Sequence, residues 1–265
     1  MSPLAKAAQP ILVLKALSKT FGGLRAVDAV SLSIAKGSIT ALIGPNGAGK
    51  TTLIDLISGY DRPDAGTVTF EGRRIDGLAS YRVARRGLLR TFQLTRVFAA
   101  MSVRDNMLLG AARQPGEALY RLVLQQASAR RAEALARERA DILLRNFGLD
   151  GKADDYAGTL SGGQRKLLEF ARALMAQPRL ILLDEPMAGV NRTLGASLLD
   201  EVERLRREEG MTFLFIEHDI DIVMRRADEV VVMAEGAVIA QGPPALIRRD
   251  RRVIDAYLGR RGDAA

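Results

Sequence analysis

The chain contains no cysteine, which excludes disulfides and cysteine-ligated metal and fits a reducing compartment. It also lacks any apolar run near the ~18–20 residues that a membrane-spanning helix needs. The opening, Met1 to Pro10, has Lys6 as its only charged side chain and no apolar block before a cleavage site, so a secretory signal is not expected. There is no internal repeat, and the one biased stretch is the mixed-charge run around residues 128–139. Histidine is nearly absent too: His218 is the single one. What is present is 265 residues with 48% hydrophobic content, enough for a substantial core in one large domain or two small ones. Lys and Arg total 39 against 31 Asp and Glu, a net charge of +8. That balance admits nucleic acid, an acidic membrane surface or simply a solvated basic face.

The most informative stretch is Gly44-Pro45-Asn46-Gly47-Ala48-Gly49-Lys50-Thr51-Thr52. An apolar run, Ile39 to Ile43, precedes it and reads as a short buried strand; Leu53 to Ser58 follows as a helix closed by Gly59. Strand, glycine turn, Lys-Thr and helix match the phosphate-loop pattern G-x-x-x-x-G-K-[ST]. Glycines let several N–H groups converge on one point, and a helix N-terminus adds partial positive charge there. Lys50 supplies a full cation for outer phosphates, and the Thr51 hydroxyl is a hard oxygen ligand suited to Mg²⁺. A glycine turn that binds nothing is the alternative, and the placement of Lys50 and Thr51 argues against it.

Upstream, residues 11–36 alternate apolar runs with turns at Gly22-Gly23 and Lys36-Gly37, the spacing of short antiparallel strands. Phe21 before the Gly-Gly turn can offer a face to an adenine ring or serve as core under a hairpin; spacing does not choose. Downstream come a turn at residues 61–66, a strand at Thr67 to Phe70, a short basic helix from Ser80 to Arg86, and a strand from Leu88 to Gln93. The Gln93 amide can ligate Mg²⁺, hold a water or be merely solvated. From Val103 to Phe147 the texture is helical, interrupted at Pro115-Gly116. Leu135, Ile142, Leu143 and Phe147 are read as one face, opposite Arg131, Glu138 and Arg145.

Residues Leu160-Ser161-Gly162-Gly163-Gln164 form a second glycine-rich turn opening a helix. Taken alone, it reads better as an ordinary helix cap than as an anion site. Leu180 to Leu183 is a strand buried on both faces, followed by Asp184-Glu185, where ligands bind in open α/β sheets. Asp184 suits a water-mediated Mg²⁺ contact, and Glu185 can polarise a water attacking phosphate. A helix over 193–209 is read with Leu194, Leu198, Val202 and Leu205 inward and Glu201, Glu203, Arg204 and Arg206 outward. A strand from Met211 to Ile216 then ends at Glu217-His218, at the same sheet edge as Glu185. His218 can donate to a γ-phosphate there, although lone histidines are more often structural. A strand over Glu229 to Met233, a turn at Glu235-Gly236, Ala237 to Ala240, a basic helix over 245–258 and a frayed end from Arg260 complete the reading.

With these pieces in order, the chain resembles the ATP-binding subunits of ABC transporters along nearly its whole length. Gly44 to Thr52 matches Walker A, Leu160 to Gln164 the LSGGQ signature, Leu180 to Glu185 Walker B with its glutamate, Gln93 the Q-loop and His218 the switch histidine. Closer still, it resembles the subfamily serving branched-chain amino-acid importers. The features are Phe92-Gln93 with Arg96-Val97-Phe98 and Met101 to Asn106, Ala188-Gly189-Val190-Asn191 after Walker B, the long segment 113–150, and Val253 to Gly259 near the end. Urea and short-chain amide importers share these traits. Asn191 stands where most of the family has aspartate, but asparagine is common in this subfamily.

The resemblance implies an α/β fold with a P-loop NTPase (RecA-like) core, an antiparallel β subdomain and an inserted α-helical subdomain. The corresponding parts are 11–93, 94–160, 161–240 and a C-terminal 241–265. It implies ATP and Mg²⁺ as ligands. Phe21, Gly44, Asn46, Gly47, Ala48, Gly49, Lys50, Thr51, Thr52 and Gln93 would meet nucleotide, and Ser161, Gly162, Gly163 and Gln164 would cover the site of a second subunit packed head to tail. Thr51, Gln93 and Asp184 would serve the metal, and Glu185, His218 and Lys50 the chemistry. The implied partners are a paralogous or identical ATPase, transmembrane permeases and, indirectly, a periplasmic or extracellular binding protein, at the cytoplasmic face of a membrane. No nucleic acid is expected, although a soluble ABC protein acting on DNA or ribosomes, or a non-hydrolysing scaffold, are the competing classes.

Overall fold

The computed structural model describes residues 10–91, 97–111 and 126–258. Its strands are β1 (Pro10–Phe21), β2 (Leu24–Ala35), β3 (Ile39–Ile43), β4 (Ala65–Phe70), β5 (Arg73–Arg74), β6 (Leu88–Arg90), β7 (Leu180–Asp184), β8 (Thr212–Ile216), β9 (Glu229–Ala234) and β10 (Ala237–Gly242). Its helices are α1 (Lys50–Ser58), α2 (Ser80–Arg85), α3 (Val103–Leu108), α4 (Gln126–Asn146), α5 (Gly162–Leu174), α6 (Arg192–Glu209), α7 (Ile220–Arg226), α8 (Pro244–Ile247) and α9 (Arg251–Leu258). They fall into two compact units, one within Met1–Arg90, Arg179–Pro186 and Val202–Ala265, the other within Thr91–Pro178 and Met187–Glu201.

The first unit holds both sheets. One is antiparallel with order β2-β1-β4-β5; the other has order β10-β9-β3-β8-β7-β6. β1 and β2 are 12 residues each rather than short. Their pairing tolerates register shifts, with Ala16 and Ala29 in the left-handed region, and bulges of this kind let long strands coil without ending. In the larger sheet β6, β7, β8, β3 and β9 run parallel, and β10 returns antiparallel on β9. Every residue of β3, β7 and β8 is buried, which explains why aliphatic and aromatic residues predominate, with Thr40, Thr212 and Asp184 as the polar exceptions. Leu42, Leu182, Leu214, Ile216 and Val231 of this sheet join Leu53, Ile54 and Ile57 of α1 in one apolar core.

Register fixes what leaves the sheet together. Leu42 and Asp184 both pair with Ile216, so β3, β7 and β8 end at one edge. The glycine loop after Ile43, Glu185 after Asp184 and Glu217-His218 after Ile216 therefore emerge side by side.

The second unit is helical. Ser102 caps α3 by accepting from Asp105 N–H at 3.0 Å. Fully buried Asn106 is satisfied by Phe98 N–H at 2.8 Å and by the carbonyls of Phe98 and Ser102 at 3.0 and 2.9 Å. Phe147 meets Phe170 edge-on, with centroids 5.6 Å apart.

Several expectations need correction. The buried stripe of α4 is Ala140, Leu143 and Leu144, continued by Phe147, whereas Leu135 and Ile142 are exposed. Glu201 is buried, not outward, and accepts from Asn146 Nδ2 at 3.3 Å. The helix expected over 245–258 is two, α8 and α9, separated at Arg248–Asp250; α9 begins where Asp250 accepts from the Arg252 N–H. Gln93, Pro115-Gly116 and the end from Arg260 lie outside the described residues.

Candidate functional site

The glycine loop is held by packing that excludes side chains. Gly44 has φ 150°, and a Cβ there would lie 2.0 Å from the Met233 carbonyl oxygen of β9. Gly49 has φ 94°, and its Cβ would lie 2.2 Å from the Ala26 carbonyl oxygen of β2. The turn after β9 completes the clamp. Gly236 N–H donates to the Ala48 carbonyl at 3.1 Å and its own carbonyl accepts from Asp28 N–H at 2.8 Å. Lys50, buried at the start of α1, curls back so that Nζ donates to the carbonyls of Gly44 at 2.8 Å and Pro45 at 3.0 Å. Burial pulls its ammonium below the ordinary lysine value, against the opposing pull of Glu185 and Asp184.

A cavity of about 580 Å³ opens over this loop. That is within the ~300–1,000 Å³ range of small-molecule sites. Asn46 to Thr52, Phe21, Glu185 and His218 all line it, so ten of the sequence-derived candidates converge on one space. Phe21 is 48% exposed, with Lys19 Nζ 5.1 Å from its ring centroid. The ring is thus an open face beside a cation rather than core under a hairpin. Arg25, Glu235 and Gly236 also line the cavity, contributions that local spacing did not reveal.

Glu185 stands in the left-handed region at φ 50°, an arrangement that costs of order 1–3 kcal/mol in a non-glycine residue. Its N–H donates to the Ile216 carbonyl at 3.1 Å, and its Oε1 is 2.8 Å from His218 Nε2. The carboxylate and the imidazole are thereby brought into contact across adjacent strand ends. Asp184, by contrast, does not line the cavity; its Oδ2 accepts from Arg90 NH2 at 2.8 Å. Arg90 is a site-adjacent residue that motif reading passed over. A lone cation closing the otherwise apolar Leu88-Leu89-Arg90 was the available signal.

The donor set suits magnesium held jointly with phosphate. Among the described residues no group of three or more His, Asp or Glu is placed to hold a metal. Thr51 and Asp184 are two hard oxygen donors, the number Mg²⁺ commonly takes from protein when phosphates and water supply the rest. Backbone amides at the N-terminus of α1 suit an anion.

The second glycine turn is built locally. Ser161 Oγ accepts from Gln164 N–H at 3.2 Å, while Gln164 Oε1 accepts from Ser161 N–H at 3.0 Å, a complete capping box at the start of α5. Gly162 has open space around the position of a Cβ, while a Cβ on Gly163 would lie 2.8 Å from Leu194 Cδ1 and 3.7 Å from Val190 Cγ1. Asn191 in the neighbouring loop caps α6 by accepting from Leu194 N–H at 2.9 Å.

A family profile described as "ABC transporter" matches residues 27–188, and a second, "Branched-chain amino acid ATP-binding cassette transporter", matches residues 237–263. The high-affinity branched-chain amino acid transport ATP-binding protein LivG of Salmonella typhimurium is 40% identical over 251 residues, covering 95% of this chain and 98% of that one. BraF of Pseudomonas aeruginosa, of like description, is 39% identical over the same length and shares. A crystal structure of a nucleotide-free ATP-binding cassette from an ABC transporter aligns with TM-score 0.80 and 38% identity, covering 94% of this chain and 99% of that one. The ADP conformation of MJ1267, an ATP-binding cassette of an ABC transporter, aligns with TM-score 0.80 at 37% identity, covering 95% of this chain and 100% of that one.

Proposed function

Since the chain belongs to the ABC transporter ATP-binding family, we propose that it hydrolyses ATP to drive an importer of branched-chain amino acids. One observation carries the catalytic part: Lys50, Thr51, Glu185 and His218 line a single cavity, with Glu185 and His218 in hydrogen-bond contact. The substrate class is supported by the relatives' described activity and by the second profile at residues 237–263.

In this reading the triphosphate lies on the loop amides and Lys50 trades the carbonyls of Gly44 and Pro45 for phosphate oxygens. Phe21 stacks on the adenine. Glu185 takes the proton of the attacking water, and His218 holds the carboxylate and then donates to the γ-phosphate. Thr51, Asp184 and Gln93 are the residues assigned to hold magnesium, which would supply positive charge against the triphosphate. Ser161 to Gln164 would close the site of a second subunit, a paralogue or another copy. Gly162 fits that role, because nothing within 4 Å among the described residues requires a missing side chain there. The division into 11–93, 94–160, 161–240 and 241–265 belongs to this reading, with the helical segment passing motion to permeases at the cytoplasmic face of a membrane. No helix among the described residues is long and apolar enough to cross one itself. An external binding protein would deliver the solute.

The test is Glu185→Gln. Binding of a fluorescent ATP analogue should persist, while phosphate release falls by roughly 10²-fold or more, the share a general base contributes. Near wild-type turnover would remove Glu185 from its role. With its permeases, second ATPase and binding protein in proteoliposomes, ATP turnover without ATP-dependent leucine uptake would remove the solute assignment alone.

A further inference from the structure

Strand β6 ends in a cation whose side chain is only 10% exposed. A guanidinium does not lose its charge in a protein, so burying it demands partners. Arg90 has two. NH2 donates to Asp184 Oδ2 at 2.8 Å, and NH1 donates to Asp55 Oδ1. Asp184 closes β7 and Asp55 lies along α1, the helix that the glycine loop opens, so three elements meet on one planar group. The Tyr60 ring lies beneath it, 5.5 Å from centroid to guanidinium carbon. Burial pulls the Arg90 pKa down, but the hydrogen bonds and charges of Asp184 and Asp55 outweigh it and hold it above the ordinary arginine value. Arg90 Nε is buried without a partner, so the fork is placed for its two carboxylates and not to satisfy every donor. The other oxygen of Asp184, Oδ1, takes no hydrogen bond from any described residue.

We propose that Arg90 is a positioning residue for magnesium-dependent nucleotide binding: it ties down one oxygen of Asp184 and leaves the other presented to a water on the metal. The role rests on the ATP-site reading of the cavity. Two effects oppose each other when Arg90 is removed. Loss of a positive charge favours a nearby cation. Loss of the tether leaves Asp55 and Asp184 as neighbouring like charges, and the Asp184 carboxylate loses the bond that orients it. Magnesium is reached largely through its own waters, whose hydrogen bonds depend on direction, so the second effect dominates.

The experiment uses the full chain, a fluorescent ATP analogue at fixed concentration, and a Mg²⁺ titration of binding, with the thermal unfolding midpoint recorded in parallel. Arg90→Gln should raise the half-saturating Mg²⁺ by roughly tenfold or more, as loss of an outer partner of a metal ligand does. Arg90→Lys, a point charge able to serve one carboxylate but not both, should raise it by about threefold or more. Asp55→Asn should lower the unfolding midpoint yet leave the Mg²⁺ requirement within about twofold, because the tether to Asp184 survives. If Arg90→Gln does not fold, Arg90→Lys decides. A smaller rise than threefold, a fall, or an Asp55→Asn shift as large as that of Arg90→Lys would overturn the proposal. If the wild-type chain binds the analogue with no magnesium dependence, the ATP-site reading itself fails instead.

Discussion

At Gly44 and Gly49 a side chain would collide with backbone oxygens 2.0 and 2.2 Å away, whereas at Gly162 it would meet nothing within 4 Å. Both glycine turns open helices, but they are glycine-rich for different reasons. The first is wedged between β2 and β9, so its glycines answer to distant parts of the same chain. The second needs only four consecutive residues, since Ser161 and Gln164 cap each other and the helix beginning at Gly162 follows. A glycine with ordinary φ and free space contributes nothing to its own fold. At a helix start alanine would serve as well or better. Its reason must lie in what approaches from outside, which is where the proposed second subunit enters.

The widest separation between the turns should come from alanine scanning of these glycines. Gly44→Ala or Gly49→Ala forces backbone to move as well as straining φ, and each is expected to cost about 3 kcal/mol or more, or to prevent folding. Gly162→Ala should leave unfolding within about 0.5 kcal/mol of wild type, while lowering ATP turnover. Thermal unfolding without nucleotide, alongside phosphate release, makes the comparison. Equal destabilisation at Gly44 and Gly162 would erase the distinction.

The same contrast explains what could be read from the sequence. β3, β7 and β8 are short, wholly buried runs, and such runs announce themselves by composition. The loop and the capping box are fixed by consecutive residues, so their motifs carry their geometry. The joining of Glu185 to His218 was legible only as two strand ends expected at one edge; the 2.8 Å contact depends on the register of β7 on β8. Arg90 was passed over because its partners lie 35 and 94 residues away. Leu135 and Ile142 look by composition like partners of Leu143 and Phe147 on α4, yet both are exposed. The buried set 140, 143, 144, 147 keeps strict helical spacing, and no residue from 130 to 139 is buried. The charge of Glu201 points outward in the sequence; Asn146 makes it tolerable inside.

A smaller effect sharpens the local side of the comparison. Ser161→Ala removes one half of the capping box and should cost about 1 kcal/mol of stability. If Ser161 also donates to a γ-phosphate across a subunit interface, turnover should fall by roughly 10²-fold, the size of one lost transition-state donor. Mixing the variant with Lys50→Ala protein would separate the two. Each inactive chain should supply what the other lacks at one of two composite sites, restoring part of the turnover if the sites are shared. No recovery in heterodimers shown to form would make the capping role the whole of it.

The smallest expected effect lies within the first unit, where a purely local tie can be set against its long-range ones. Asp76 Oδ2 accepts from Arg74 NH2 at 2.7 Å, and Oδ1 accepts from Val68 N–H at 3.1 Å, joining β4 to β5. The hydrogen bond from Arg74, opposed by burial and aided by Val68, holds the Asp76 carboxyl below its ordinary range. A carboxyl depressed in the folded chain stabilises it fully above the unfolded value of about 3.9 and loses that contribution as pH falls through the folded value. Asp76→Asn should therefore lower the unfolding midpoint modestly at pH 7, with the gap to wild type closing as pH falls below the unfolded value and the aspartate protonates in the folded chain. Nucleotide affinity should not move, because the tie reaches neither the glycine loop nor Arg90. A gap that persists at low pH would assign the effect to packing of the side chain, and a loss of nucleotide binding would mean that β4 and β5 reach the cavity through the sheet they share with β1.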